Sequence, residues 1–83
     1  MRLLKFSASW CGPCKALSMV MEGCKDKWDM NVEHIDIDNQ SDLALEYGIR
    51  SVPTLILLDD NANQIKRQSG SMKESDFLEF IKG

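Results

Sequence analysis

The sequence predicts an α/β protein with the element order β-α-β-α-β-β-α, a four-stranded mixed sheet with helices on both faces. Three observations predict it. Two short apolar runs, residues 2–7 and 54–58, have strand length and strand composition. Between them lies a stretch whose apolar residues return every three or four positions. After the second run, Asp59-Asp60-Asn61-Ala62-Asn63 is turn chemistry, and a further strand-like segment follows it. Strand, helix and strand in that order imply a parallel pair joined by a right-handed crossover. The late turn implies an antiparallel hairpin.

The elements follow in chain order. Arg2 to Ser7 reads as a short buried strand, and Ala8-Ser9-Trp10 as a loop. A helix is expected from about Gly12 to Trp28, with Leu17, Val20, Met21, Cys24 and Trp28 on its core face. Gly23 weakens that helix. Asn31 to Asp38 alternates Val32, His34 and Asp36 on one side with Glu33, Ile35 and Ile37 on the other, as a strand does. A helix is expected from Asp42 to Tyr47, capped by Ser41 and stopped by Gly48. Thr54 to Leu58 is a strongly apolar strand, and Gln64 to Gln68 pairs back as an edge strand. Ser71 with Glu74 has the spacing of a capping box for a last helix that buries Phe77, Phe80 and Ile81.

Composition narrows the function classes. Eighty-three residues are expected to form one domain, 1–83, near the lower end of what folds without staples. The chain is 43% hydrophobic and 28% charged, as in an ordinary soluble globular protein. A net charge of −3 leaves no basic footprint for nucleic acid. No apolar run approaches the length of a membrane span, and the apolar part of the first six residues is too short for a signal peptide. The expected compartment is therefore the reducing cytoplasm. A cysteine pair there is more often catalytic than structural. A monomer is expected.

The chemistry concentrates in Trp10-Cys11-Gly12-Pro13-Cys14-Lys15. Two cysteines separated by two residues can close a small disulfide ring or open to a dithiol. The spacing puts Cys11 at the mouth of the first helix and Cys14 one turn inside it. Backbone N–H groups and the positive end of the helix dipole favour a thiolate at Cys11. Pro13 suits the first turn, where no N–H is needed. Cys14 is close enough to attack a mixed disulfide formed on Cys11, which is the minimum equipment for thiol–disulfide exchange. Lys15 adds a cation beside the pair. A pair of inert reduced thiols is the bland reading of the same motif. Half of a zinc site is another, but it needs two further ligands, and only Cys24 and His34 are on offer. Asp36 and Asp38 lack the further oxygen ligands of a cation site. No metal is expected.

The WCGPCK string after an apolar strand resembles the active-site sequence of the thioredoxin family, and the resemblance extends over nearly all of the chain. It implies the thioredoxin fold, in the trimmed form of some phage and archaeal proteins that lack the N-terminal strand and helix. It implies reduction of protein disulfides through a Cys11/Cys14 dithiol–disulfide cycle, with Cys11 the more exposed nucleophile and Cys14 the resolving thiol. Gly12 and Pro13 shape the turn and help set the potential. Val52-Pro53 resembles the family's cis-proline loop, in which Val52 offers backbone groups to an extended client peptide; the alternative is a trans proline that opens a strand. Trp10 is expected on the rim of the site as an apolar contact, with a core tryptophan as the alternative. Gly70 matches a glycine that lets client backbone approach, or it is an ordinary turn. No cofactor is expected beyond the redox-active disulfide itself. Reducing equivalents would come from a thioredoxin reductase-like partner, and clients would include ribonucleotide reductase.

The main departure from the family pattern is Lys5, six residues before Cys11, where most thioredoxins place a buried aspartate. His34 stands where the family has the partnering lysine. Three readings are open: Lys5 pairs with Asp36, it is desolvated and takes part in proton transfer, or it snorkels to solvent. Cys24, ten residues beyond Cys14, is too distant for a disulfide with it and is read as packing rather than as a regulatory thiol. Two rivals accompany the disulfide-reductase reading. One is a glutaredoxin-like, glutathione-dependent reductase, opposed by the CGPC centre. The other is a docking subunit of a larger enzyme whose redox chemistry is incidental.

Overall fold

A computed structural model describes residues 1–82. The elements are β1 (Arg2–Ser7), α1 (Gly12–Gly23), β2 (Asn31–Asp36), α2 (Ser41–Glu46), β3 (Thr54–Leu58), β4 (Gln64–Ser69) and α3 (Glu74–Phe80). The sheet order is β2-β1-β3-β4. β1 runs parallel to β2, with Lys5 opposite His34, and antiparallel to β3, with Lys5 opposite Leu55. β3 and β4 form the antiparallel hairpin, with an irregularity at Leu57/Leu58.

Strand alternation divides the core between the two faces of the sheet. Leu3, Leu55 and Leu57 pack against Leu17 and Met21 of α1, against Cys24 at its C-cap and against Phe77 and Phe80 of α3. Leu4, Phe6, Ile35, Ile56 and Leu58 face the other way, with Leu43 and Tyr47 of α2 packed over them. All five residues of β3 are buried, as a central strand covered on both faces requires.

Helix ends are where the structure departs from the sequence expectation. α1 stops at Gly23 rather than Trp28, and a 3₁₀ turn over Lys25–Lys27 follows. The Trp28 indole N–H folds back to the Met21 carbonyl at 3.1 Å, which satisfies one acceptor that the helix end leaves open. The same ring meets Phe77 edge-on at 5.2 Å. Ser41 is the first residue of α2 rather than its cap, and Gln40 precedes it with no side-chain cap bond. At the other end, Gly48 has φ +64°, with Gly48 N–H donating to Leu45 O and Ile49 N–H to Ala44 O. This is a Schellman closure, and glycine enters its left-handed position without the Cβ penalty. The capping box at Ser71 does not form. α3 starts after Lys73, and Glu74 is drawn instead to Lys27 at 2.7 Å. β2 ends at Asp36, two residues short, because the Asp36 carboxylate accepts the Asp38 N–H at 2.8 Å and turns the chain.

Candidate redox site

The site forms where β1 ends and α1 begins. The short loop after β1 closes with Cys11 N–H donating to Ala8 O at 3.1 Å. Cys11 is then the N-cap of α1, in extended conformation, and Pro13 occupies the first turn. Its Sγ accepts the Cys14 N–H at 3.1 Å. A sulfur at a helix N-cap that already receives a backbone N–H is placed to carry negative charge once reduced. Here Cys11 and Cys14 are joined as a disulfide, with Cα atoms 5.3 Å apart. The two residues are equally buried, at 4% and 3% exposure, so Cys11 is not the more exposed partner in this state. Ala8, Ile37 and Val52 pack around them and close the sulfurs in.

The loop before β3 supplies the opposite wall. Val52–Pro53 is a cis peptide. The Val52 carbonyl lies 3.6 Å from Cys11 Sγ. Thr54 fastens this loop, donating from Oγ1 to Ser51 O at 2.8 Å and lying 3.0 Å from the Ser69 hydroxyl. The Gly70 N–H donates to Pro53 O at 2.8 Å, and Gly70 has φ +94°, which favours glycine. Trp10 is 67% exposed on the rim, its indole N–H donating to Asp38 Oδ2 at 3.1 Å. Trp10, Cys11, Cys14, Val52, Pro53 and Gly70 thus belong to one connected region, with Gly12, Pro13 and Lys15 on its exposed helical side.

Lys5 behaves differently from two of its three expected readings. It is only 3% exposed, so it does not snorkel. It makes no ion pair with Asp36; its Nζ donates to Ser18 Oγ at 2.7 Å. Burial pushes its ammonium pKa below the ordinary lysine value. Ser18, Asp38 and Thr54 were not expected at the site. Only Ser18 had a sequence signal, its place four residues after Cys14 on the same helical face. Cys24 is buried and free, its thiol donating to the Val20 carbonyl at 3.2 Å.

His34, beside Lys5 on β2, is held below the usual imidazole pKa by partial desolvation and then by the charges of Lys5 and Lys25. The unfolded chain therefore binds the proton more readily than the folded one. Stability is full above the ordinary imidazole value of about 6.5 and declines as pH falls from there through the lowered folded value. Urea unfolding at a series of pH values is expected to show this slope in the parent protein and a flatter one in His34→Gln.

Comparison with known proteins accords with this geometry. The family signature described as Thioredoxin matches residues 1–83. The chain belongs to the thioredoxin family. It is 36% identical over 81 residues to a thioredoxin of Mycoplasmoides gallisepticum, covering 96% of this chain and 80% of that protein. It is 38% identical over 77 residues to a thioredoxin of Chlamydia trachomatis, covering 92% and 74% respectively. Among solved structures, a mutant thioredoxin from Halobacterium salinarum superposes with a TM-score of 0.86 at 39% identity, over 96% of this chain and 70% of that one. With its CxxC pair at disulfide distance, this thioredoxin-family protein is a protein thiol–disulfide oxidoreductase. Disulfide-containing substrates and a reductase partner follow from the family. No helix is long and apolar enough to cross a membrane among the described residues.

Proposed function

We propose that the protein works in the reducing direction, in a cytoplasm, as a general reductant of protein disulfides. The observation that carries this reading is Cys11 Sγ at the N-cap of α1, receiving the Cys14 N–H and facing the Val52 carbonyl. In the dithiol form the Cys11 thiolate attacks one sulfur of a client disulfide. The client S–S bond breaks, and its other sulfur leaves as a thiolate and takes a proton from solvent. Cys14 loses its proton and attacks Cys11 Sγ, and the second client sulfur departs with the electron pair. The client has gained two electrons and two protons, and Cys11–Cys14 is the oxidised product.

The remaining site residues have supporting roles in this scheme. Val52 offers its backbone to an extended client segment, Trp10 gives that segment an apolar face, and Gly70 permits close approach. Gly12 and Pro13 shape the ring, while Lys15 contributes positive charge. An NADPH-dependent thioredoxin reductase would regenerate the dithiol, and ribonucleotide reductase is a candidate client.

Insulin disulfide reduction tests the proposal. Rapid turnover is expected with thioredoxin reductase and NADPH, and none with glutathione as sole reductant. Turnover sustained by glutathione alone would favour the glutaredoxin-like reading. A cellular function that survives replacement of both cysteines by serine would favour a docking role.

A further inference from the structure

The lysines and arginines of this chain divide into two groups. Arg2, Lys27 and Lys82 are ion-paired with Glu33, Glu74 and Glu79. Lys5 donates to Ser18 Oγ, Lys66 to the Phe80 carbonyl and Arg67 to the Tyr47 carbonyl. Lys25 lies over the Trp28 ring, 4.4 Å from its centroid. Of the 10 lysines and arginines this leaves Lys15, Arg50 and Lys73. Among the described residues none of these has an ion pair, a side-chain hydrogen bond or an aromatic partner, and all are exposed.

Each of the three stands on a different segment of the redox site. Lys15 follows Cys14 at the start of α1 and lines one cavity with it. Arg50 lies two residues before Val52, whose carbonyl is 3.6 Å from Cys11 Sγ. Lys73 lies three residues after Gly70, whose N–H is held on Pro53 O at 2.8 Å, and is the N-cap of α3. The segment after β2 brings the acids of this region, and both are engaged. Asp36 accepts the Asp38 N–H, and Asp38 accepts the Trp10 indole N–H. Asp36 also lines the cavity of Lys15 without pairing with it. A solvated face is the ordinary fate of a single surface charge. It does not account for unmatched cations gathering around the reacting sulfurs of a chain whose net charge is −3. Such a cluster gives the site a local potential opposite in sign to the whole molecule.

We propose that Lys15, Arg50 and Lys73 form a cationic rim that selects client segments carrying Asp or Glu within a few residues of the reacting cysteine. This inference deepens the disulfide-exchange reading and rests on it. Carboxylates beside a client disulfide repel the incoming Cys11 thiolate, and the rim offsets that repulsion. A segment held on the backbone of Val52 passes Arg50 two residues further on, within reach of a guanidinium that can grip a carboxylate with two parallel hydrogen bonds. Lys15 and Lys73 act as point charges on the segments to either side. Exposed rim charges act chiefly on the rate of productive encounter, so the selection is sensitive to salt.

Three synthetic peptides test this. They share one sequence with a single cysteine, and differ in having Glu, Gln or Lys at the two positions on each side of it. Each is supplied as its 2-pyridyl disulfide. Attack by Cys11 on the peptide sulfur releases neutral pyridine-2-thione, whose absorbance gives a second-order rate constant. The rate of each peptide with 2-mercaptoethanol corrects for its intrinsic reactivity. At low salt, about 20 mM, the reduced protein is expected to react about tenfold faster with the Glu peptide than with the Lys peptide. Near about 0.5 M salt the two rates should agree within about twofold, because the Debye length then falls to a few ångströms. In Arg50→Gln/Lys73→Gln the low-salt advantage of the Glu peptide should disappear, and in Arg50→Glu/Lys73→Glu the order should invert.

Equal rates for the Glu and Lys peptides in the parent at low salt would overturn the proposal. So would a preference that persists at high salt, one that survives Arg50→Gln/Lys73→Gln, or a variant in which all three peptides slow by the same factor. A parent protein that releases no pyridine-2-thione from any peptide contradicts the exchange reading of Cys11 itself, a different failure from a loss of charge selection.

Discussion

Cys11→Ser is expected to lose insulin-reducing activity by at least about a thousandfold, as removal of an attacking nucleophile does. A serine hydroxyl at the same N-cap keeps the hydrogen bond from the Cys14 N–H but is not ionised near neutral pH. The fold should survive, since serine is a preferred N-cap residue. Cys14→Ser has a different signature. The first exchange proceeds, the mixed disulfide on Cys11 has no internal thiol to resolve it, and client protein accumulates covalently attached. Cys24 cannot substitute, being buried at the far end of α1 and donating to the carbonyl of Val20. Non-reducing electrophoresis after incubation with a disulfide client, with mass spectrometry of the adduct, reads both outcomes. A trapped adduct in Cys11→Ser rather than in Cys14→Ser would reverse the assignment of the two thiols.

Phe77→Ala is expected to give one of the largest stability losses in the chain. Phe77 is fully buried between α3, α1 and the sheet, and it meets Trp28 edge-on. Truncating a buried phenylalanine typically costs about 3–5 kcal/mol. At about 0.05–0.15 kcal/mol per residue, a protein of this size has only about 4–12 kcal/mol to lose. The variant should therefore melt lower by well over about 10 °C, or lack a cooperative transition at 37 °C. Leu45→Ala is the control: Leu45 is 82% exposed on α2, and its loss should move stability by less than about 0.5 kcal/mol. Thermal melts followed by circular dichroism check both. A Phe77→Ala variant that melts within a few degrees of the parent would mean that the core repacks around the missing ring.

The two predictions draw on information of different kinds. Cys11 and Cys14 were legible because their chemistry is local. The spacing, the following proline and the preceding apolar strand all lie within a dozen residues. The core positions Leu17, Met21, Cys24, Phe77 and Phe80 were legible because helical periodicity survives in the sequence of a two-faced helix. Helix boundaries were less legible. α1 ends at Gly23 because the Trp28 indole reaches back to a carbonyl, a contact between residues seven apart that competes with further winding. The capping box at Ser71 fails because α3 starts only at Glu74, with Lys73 at its N-cap, and the Glu74 carboxylate pairs with Lys27, 47 residues away in sequence.

The sequence by itself determined the order of strands and helices, the motif at the start of α1 and the classes of residue that enter the core. Those features depend on side-chain period, turn chemistry and spacing, which act over a few residues. The tertiary structure alone decided how the elements meet. It set Val52 O against Cys11 Sγ, a separation of 41 residues, and joined Trp10 to Asp38 across 28. It also chose among the readings of Lys5. Sheet register puts Lys5 beside His34, and the packing of α1 over β1 brings the Ser18 hydroxyl, rather than a carboxylate, to its ammonium. Whether a lysine is solvated, paired or desolvated depends on what the rest of the chain packs over it, because burial and counter-charge are supplied by neighbours remote in sequence.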